Sequence, residues 1–292
     1  ISFPDLNMNT REKFTYYFLH FLSRYLNKIS DRKREWYANK LAAFAYKYLP
    51  IRKNEAYKNI KLAFPNQNHQ WLMKVLKGSY KTAVQNFIDF LAVSTTVHTT
   101  VFTIKNKNVL DEALDKNKGV LLITGHFGLW EKWGAWLGKN KYPLWGIIQR
   151  QANRGSDLFF KEIRESYGMS HIYKTSSVDQ SYKILKQNQI LILASDQDAK
   201  DKGVIVNFFN HKTSVPKGAA LFHLKTGAAL IFSVSTKNTD GSMTIYFEEL
   251  KIEDSPTVES ITQAYTKMLE DKISKFPDHY FWFHRKWKST IS

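Results

Sequence analysis

The stretch that decides the fold runs Gly119-Val120-Leu121-Leu122-Ile123-Thr124-Gly125-His126-Phe127-Gly128-Leu129-Trp130-Glu131. Its apolar half reads as a buried strand, its glycine-flanked histidine as a turn, and Glu131 as the opening of a helix. Two helical residues five apart lie roughly 140° apart around the axis, so His126 and Glu131 meet only if His126 precedes the first helical residue. Gly125 and Gly128 permit such a turn, because glycine takes backbone angles that other residues avoid. His126 then stands at the positive end of the helix, which disfavours a charged imidazolium and favours nearby anions. A neutral histidine held by a carboxylate is a candidate general base; a helix-capping histidine with a surface glutamate is the plain alternative.

Outward from this stretch, strand and helix patterns alternate from about residue 101. Candidate strands are 119–124, 143–149, 189–194, 203–208, 229–236 and 243–250; candidate helices are 129–138, 155–167, 177–187, 217–226 and 257–275. Alternation of this kind predicts an α/β fold, with a mostly parallel central sheet flanked by helices. Before it, residues 1–100 read as a helical N-terminal region. Residues 14–26 and 36–49 are aromatic-rich, Pro50 closes the second of them, 52–65 is polar and helical, and 70–94 resumes helical periodicity. A Thr-rich, β-prone stretch at 95–105 marks the transition. The expected division is therefore a membrane-associating part, 1–100, and an α/β part, 101–292, in one compact unit.

The charge points to an anionic partner. The chain of 292 residues carries 43 basic and 26 acidic side chains, a net of +17. Residues 1–60 hold twelve basic and five acidic side chains, a net of +7. Nucleic acid, anionic lipid headgroups and an acidic protein all fit such a balance, but no nucleic-acid motif accompanies it. Residues 14–26 as a helix would be about 20 Å long, short of the roughly 30 Å hydrocarbon core. Aromatics interleaved with Arg11, Lys13, Arg24 and Lys28 suit a helix lying in the membrane interface; an aromatic-rich hairpin packed on the core is the alternative. No secretory signal is visible. The chain begins at Ile1 rather than methionine, which leaves room for an upstream segment. It has no cysteine, which removes disulfides, thiol catalysis and cysteine-ligated metal.

Other polar groups fall at expected strand ends. Asp196-Gln197-Asp198 follows the apolar run 190–194, where open α/β sheets place their sites. It serves either as a structural turn or as the orienter of an active-site base or cation, and it lacks the further ligands of a metal site. Arg150, Arg154 and Arg164 lie between the histidine turn and Asp196 and can bind carboxylate or phosphate, or be solvated surface charges. Pro216-Lys217-Gly218 opens a helix whose amides, with Lys217, can face an anion. No nucleophile elbow, phosphate-binding glycine loop or dinucleotide fingerprint occurs.

Taken together, these residues resemble a family. Gly125-His126-Phe127-Gly128-Leu129-Trp130-Glu131 resembles the histidine–four residues–acid motif of glycerolipid-type acyltransferases. The branch it resembles is that of the bacterial lipid A biosynthesis (late, secondary) acyltransferases. Asp196-Gln197-Asp198, Gly203, Phe208-Phe209, Pro216-Lys217-Gly218-Ala219-Ala220 and Thr226-Gly227-Ala228 are similar to its second block, and Arg164 with Gly168 to its arginine block. Asn59-Ile60 to Phe64-Pro65 is similar to its N-terminal signature and Tyr280–Lys288 to its tail. The resemblance implies transfer of a fatty acyl chain from an acyl carrier protein to a hydroxyl of a phosphorylated, acylated glucosamine disaccharide, without a cofactor or metal. That chemistry belongs to lipopolysaccharide biosynthesis at the cytoplasmic face of the inner membrane. It further implies His126 as general base, Glu131 as its orienting acid, and supporting roles for Arg164 and Asp196 in phosphate or oxyanion handling. The aromatic N-terminus, interrupted by Arg24, departs from the clearer apolar anchor of many members and favours interfacial attachment. Other membrane glycolipids, such as mannosylated phosphatidylinositol, are alternative acceptors, and a non-catalytic lipid-binding protein is the alternative class.

Overall fold

The computed structural model describes residues 8–49, 51–176 and 178–291. Five helices come first: α1 (Thr10–Lys28), α2 (Asp31–Tyr48), α3 (Lys53–Ala63), α4 (His69–Leu91) and α5 (Val93–Thr99). Their starts follow from capping chemistry. Asn9 and Glu12 form a reciprocal capping box on α1, and Ser30 and Asn68 accept from the third backbone N–H of α2 and α4. Pro50, expected to close the second helix, lies outside the described residues; α2 ends two positions earlier, at Tyr48. The stretch 95–105 splits, its first half helical in α5 and its second half in strand β1 (Phe102–Lys105), so packing overrides β-propensity at residues 95–99.

After β1 the chain alternates through α6 (Lys107–Asp115), β2 (Val120–Thr124), α7 (Trp130–Lys139), β3 (Leu144–Ile148), α8 (Arg154–Ser166), β4 (Met169–Tyr173), α9 (Val178–Lys186) and β5 (Ile190–Ala194). A hairpin of β6 (Val204–Phe208) and β7 (His211–Val215) follows, then α10 (Gly218–Thr226), β8 (Ala229–Lys237), β9 (Met243–Glu249) and α11 (Val258–Lys275). The seven-stranded sheet has the order β1-β9-β8-β2-β5-β3-β4. Every pair in it is parallel except β8 with β9. The mostly parallel α/β architecture expected from the alternation is thus present. The segment expected as strand 203–208 leaves the main sheet, however. As β6 it pairs only with β7 across a two-residue turn whose residues, Phe209 and Asn210, both take left-handed angles.

The central strands β2 and β5 are buried on both faces, which is why they read as continuous apolar runs. Alternate side chains still go to different layers. Leu121, Ile123, Leu191 and Leu193 pack against α10 and α11, while Val120, Leu122, Ile190 and Ile192 meet Leu110 of α6 and Trp133 and Leu137 of α7. The N-terminal helices dock onto this α/β body, α4 against α7 and α1 against α8. A buried ion pair, Lys132 Nζ to Asp89 at 2.6 Å, joins α7 to α4.

Of the two glycines flanking the histidine, Gly128 is the one the turn requires. It has φ +63°, and an added Cβ would lie 1.9 Å from the Ser235 carbonyl oxygen. Gly128→Ala is expected to lower the unfolding free energy by about 2 kcal/mol or more, read as a lower urea midpoint at unchanged slope.

Candidate active site

The parallel register of β2 and β5 builds the site. Thr124 is aligned with Ala194, and the Ser195 N–H donates to the Thr124 carbonyl at 2.9 Å. The next residues of both strands therefore emerge together at the sheet's carboxyl end, His126 in one turn and Asp196 in the other. The His126 backbone N–H donates to Asp196 Oδ2 at 2.9 Å, and His126 Nδ1 lies 2.8 Å from Oδ1. Asp196 is fully buried, whereas the His126 side chain keeps 24% exposure. An ionised carboxylate only accepts, so Nδ1 carries the proton and the neutral ring leaves Nε2 as a lone-pair acceptor. Among the described residues Nε2 has no hydrogen-bond partner. Trp130 and Phe281 flank the ring, at centroid distances of 5.4 and 6.2 Å.

The electrostatics follow from this pairing. Burial alone would lift the Asp196 pKa, but the charge and hydrogen bonds of His126, with His284 behind them, hold it well below the usual carboxylate range. Burial pulls the His126 pKa down. The charge and hydrogen bond of Asp196, with the field of Glu131, outweigh that pull and the opposing Arg164, and the net shift is upward from 6.5.

The structure assigns the partners of the acids differently from local spacing. His126 does precede the helix, as the five-residue separation requires, but the carboxylate bonded to its ring is that of Asp196 rather than Glu131. Glu131, in the first turn of α7, turns to Arg164 of α8, which reaches it through Nη2 at 2.5 Å and Nε at 3.2 Å. This pair is mostly buried, at 13% and 17% exposure, and Arg164 also lies over the Phe90 ring. Glu131 thus acts on His126 through its field, and Arg164, expected to handle phosphate or oxyanion, has two of its nitrogens committed to Glu131. Arg150 lies at the end of β3, stacked on Tyr173 with its guanidinium carbon 4.3 Å from the ring centroid. Lys217 stands at the cap of α10. The described contacts of neither residue include the His126 cluster.

The segment after α11 completes the site. The Phe281 N–H donates to the His126 carbonyl at 2.9 Å, and the Gly128 N–H donates to the His279 carbonyl at 2.8 Å. Phe127 and Tyr280 form an antiparallel bridge. Buried Asn59 holds the segment from the far side, donating from Nδ2 to the carbonyls of Trp282 and His284 at 2.8 and 2.7 Å. The His284 ring lies 4.8 Å from that of His126, and 3.3 Å separates its Nε2 from Gln197 Nε2. Burial first, then the positive neighbours His126, Arg52 and Lys286, push the His284 pKa down to about 4 against the pull of Asp196. Burial, and then the nearby Asp196 carboxylate, raise the pKa of the buried Tyr280 hydroxyl. Sequence reasoning placed His284 and Tyr280 only in an aromatic, basic tail and gave them no role.

Nitrogen and oxygen atoms of His126, Asp196 and His284 come within 4.8 Å of one another, a spacing open to a metal. The donor set does not suit one, since both oxygens of Asp196 already accept hydrogen bonds from His126 and a buried lysine, Lys286, lies in the field of the same carboxylate. Asp198, the other acid considered for a metal, accepts from Ser289 Oγ and N and from Lys200 N instead. The site is a buried acid holding a partly exposed imidazole, a geometry for moving protons. By NMR, His126 is expected to titrate above 6.5. Asp196→Asn should bring the midpoint below 6.5, because burial then acts against little negative charge. Glu131→Gln should shift it less, and by leaving Arg164 unpaired should cost about 3 kcal/mol of stability.

The chain is similar to phosphatidylinositol mannoside acyltransferases of Mycolicibacterium smegmatis (29% identity) and Mycobacterium tuberculosis (26%), over 62% and 63% of its own length and 60% and 59% of theirs. It thus spans about 60% of the length of these relatives. It is also similar to the lipid A biosynthesis palmitoleoyltransferase of Escherichia coli K12, at 23% identity over 86% of the chain and 83% of that protein. A sequence model described as bacterial lipid A biosynthesis acyltransferase matches residues 6–289, so the chain belongs to that family.

Proposed function

We propose that this protein transfers a fatty acyl chain from the thioester of an acyl carrier protein to a hydroxyl of a phosphorylated membrane glycolipid, a lipid A precursor. The observation that carries the reading is the His126–Asp196 pair, with its unbonded Nε2, in a chain of this family. Nε2 takes the proton of the acceptor hydroxyl as its oxygen attacks the thioester carbonyl. The tetrahedral intermediate then collapses, the C–S bond breaks, and the imidazolium returns the proton to the departing sulfur. Asp196 holds the tautomer and offsets the transient charge on the ring. General-base action supplies about 10²–10⁴-fold, and alignment of thioester and hydroxyl much of the rest. Direct transfer accords with a chain that has neither cysteine nor a nucleophile elbow.

A position at the cytoplasmic face of the inner membrane belongs to the same proposal, and α1 and α2 support it. Phe14, Phe18 and Phe21 share one face of α1 and are 70%, 50% and 68% exposed, and Trp36, Phe44 and Tyr48 of α2 are exposed as well. Such a face, on a chain of net charge +17, suits the headgroup zone of an anionic bilayer. Among the described residues no helix is long and apolar enough to cross a membrane. An acidic carrier protein and a phosphorylated acceptor suit the same charge. The mycobacterial relatives favour a second acceptor, mannosylated phosphatidylinositol, with the same chemistry at the dyad.

Mass spectrometry of membrane lipids with and without the protein identifies the acceptor: gain of one acyl chain on a lipid A precursor is expected, and gain on a phosphatidylinositol mannoside selects the second reading. With purified donor and acceptor, His126→Ala should lose about 10³-fold or more in kcat while remaining folded. Turnover near that of the wild type would remove the dyad from the mechanism. Replacing Phe14, Phe18 and Phe21 together by serine should weaken binding to anionic vesicles about tenfold or more.

A further inference from the structure

Helix α10 is apolar on both of its sides. Ala219, Ala220 and Phe222 are buried against the sheet, yet Leu221 and Leu224 on its outer side are 43% and 45% exposed. A surface helix of a globular protein ordinarily turns polar residues outward. Lys217, at its cap, and Lys225 stand on the same outer side, because positions 217, 221, 224 and 225 fall within about 100° of one another around the axis. Lys225 also reaches across to α9, its Nζ 4.4 Å from the centroid of the Tyr182 ring. α9 adds Lys183 and Lys186 against one acid, Asp179, and α10 has no acid. Among the described residues none of these four lysines forms an ion pair.

This surface borders the site and faces away from the aromatic helices. α9 and α10 lead into β5 and β8, which run parallel to β2, so the first turns of both helices stand at the sheet's carboxyl end with His126. Tyr265 of α11 donates to the Pro216 carbonyl just before α10, and it lines a small cavity with Thr124 and Ser195, the neighbours of the two site turns. The exposed aromatics of α1 and α2 belong to the other side of the sheet, where α1, α2, α7 and α8 share one core cluster. A molecule resting on a bilayer through those aromatics keeps α9 and α10 off it. We propose that the outer side of α9 and α10 is the docking surface for the acidic acyl carrier protein: a helix of that partner lays apolar side chains over Leu221 and Leu224 and sets its carboxylates against the four lysines. The thioester it bears then enters past the start of α10. The inference deepens the transfer reaction proposed above and rests on its carrier-borne donor.

The test measures binding of a purified, phosphopantetheine-bearing acyl carrier protein to the full chain. Lys217→Glu with Lys225→Glu, and separately Leu221→Ser with Leu224→Ser, are each expected to weaken binding about tenfold or more. Lys58→Glu with Lys61→Glu, at exposed positions of α3, is the control and is expected to bind as the wild type does. In transfer assays the first pair should raise KM for the carrier-borne thioester by about the same factor, while kcat and transfer from acyl-pantetheine stay within about twofold. Wild-type binding that neither pair weakens overturns the surface and leaves the carrier-borne donor standing. A wild type that binds no carrier protein and takes its acyl chain from coenzyme A alone overturns the donor reading and this proposal with it. Weaker binding to anionic vesicles with carrier binding unchanged assigns the face to lipid and overturns the proposal. Should the paired variants not fold, Leu224→Cys places a single thiol for a photo-crosslinker in a chain without cysteine. Capture of the carrier protein there and not from Lys58→Cys is expected; capture from both alike, or from neither, overturns the proposal.

Discussion

The structure depends on one carboxylate making two hydrogen bonds. Asp196, with no exposed surface, accepts from both the backbone and the ring of His126. The backbone bond fixes where the turn lies and the ring bond fixes how the imidazole faces. A buried anion needs such partners to remain ionised, and the histidine needs the anion to keep one tautomer. The remaining architecture, parallel strands β2 and β5 in register and a C-terminal segment bonded across the turn, keeps that pair closed.

Around this pair the charges are arranged in layers. Glu131 and Arg164 neutralise each other at the mouth of α7, and Lys132 and Asp89 do so one residue further along the helix. Both pairs tie α7 to helices outside the sheet's own α/β units or crossing over them, so the helix that carries Glu131 is fixed from two directions. Burial first, and then the positive neighbours His126, Arg52 and Lys286, keep His284 neutral against the pull of Asp196. The result is an imidazole with one open nitrogen beside two ion pairs, Glu131–Arg164 and Lys132–Asp89, that are already closed.

Much of this was legible in the residues and some was not, for physical reasons. The run at 119–124 reads as a strand because it is buried on both faces, and the glycines mark the turn because one of them takes a positive φ. Strands β4 and β7 were not legible, since Ser170-His171 and His211-Lys212-Thr213-Ser214 carry little apolar signal and draw their structure from neighbours. The assignment of Glu131 as the orienting acid came from the resemblance, and spacing said only that it could meet His126. The actual partner lies 70 residues away and is delivered by strand register, which no local window contains. Asn59 was visible only as part of a resemblance; its function as a buried clamp on the Trp282 and His284 carbonyls required the coordinates.

The C-terminal segment has a consequence for how the protein comes into being. His126, Glu131, Arg164 and Asp196 are all synthesised well before Phe281, yet Phe281 supplies the hydrogen bond that closes the His126 turn and His279 the carbonyl that receives Gly128. A nascent chain that has emerged only through α11 therefore carries His126 on a turn that lacks these two hydrogen bonds. The turn around His126 is fully hydrogen-bonded only once His279 and Phe281 are in place.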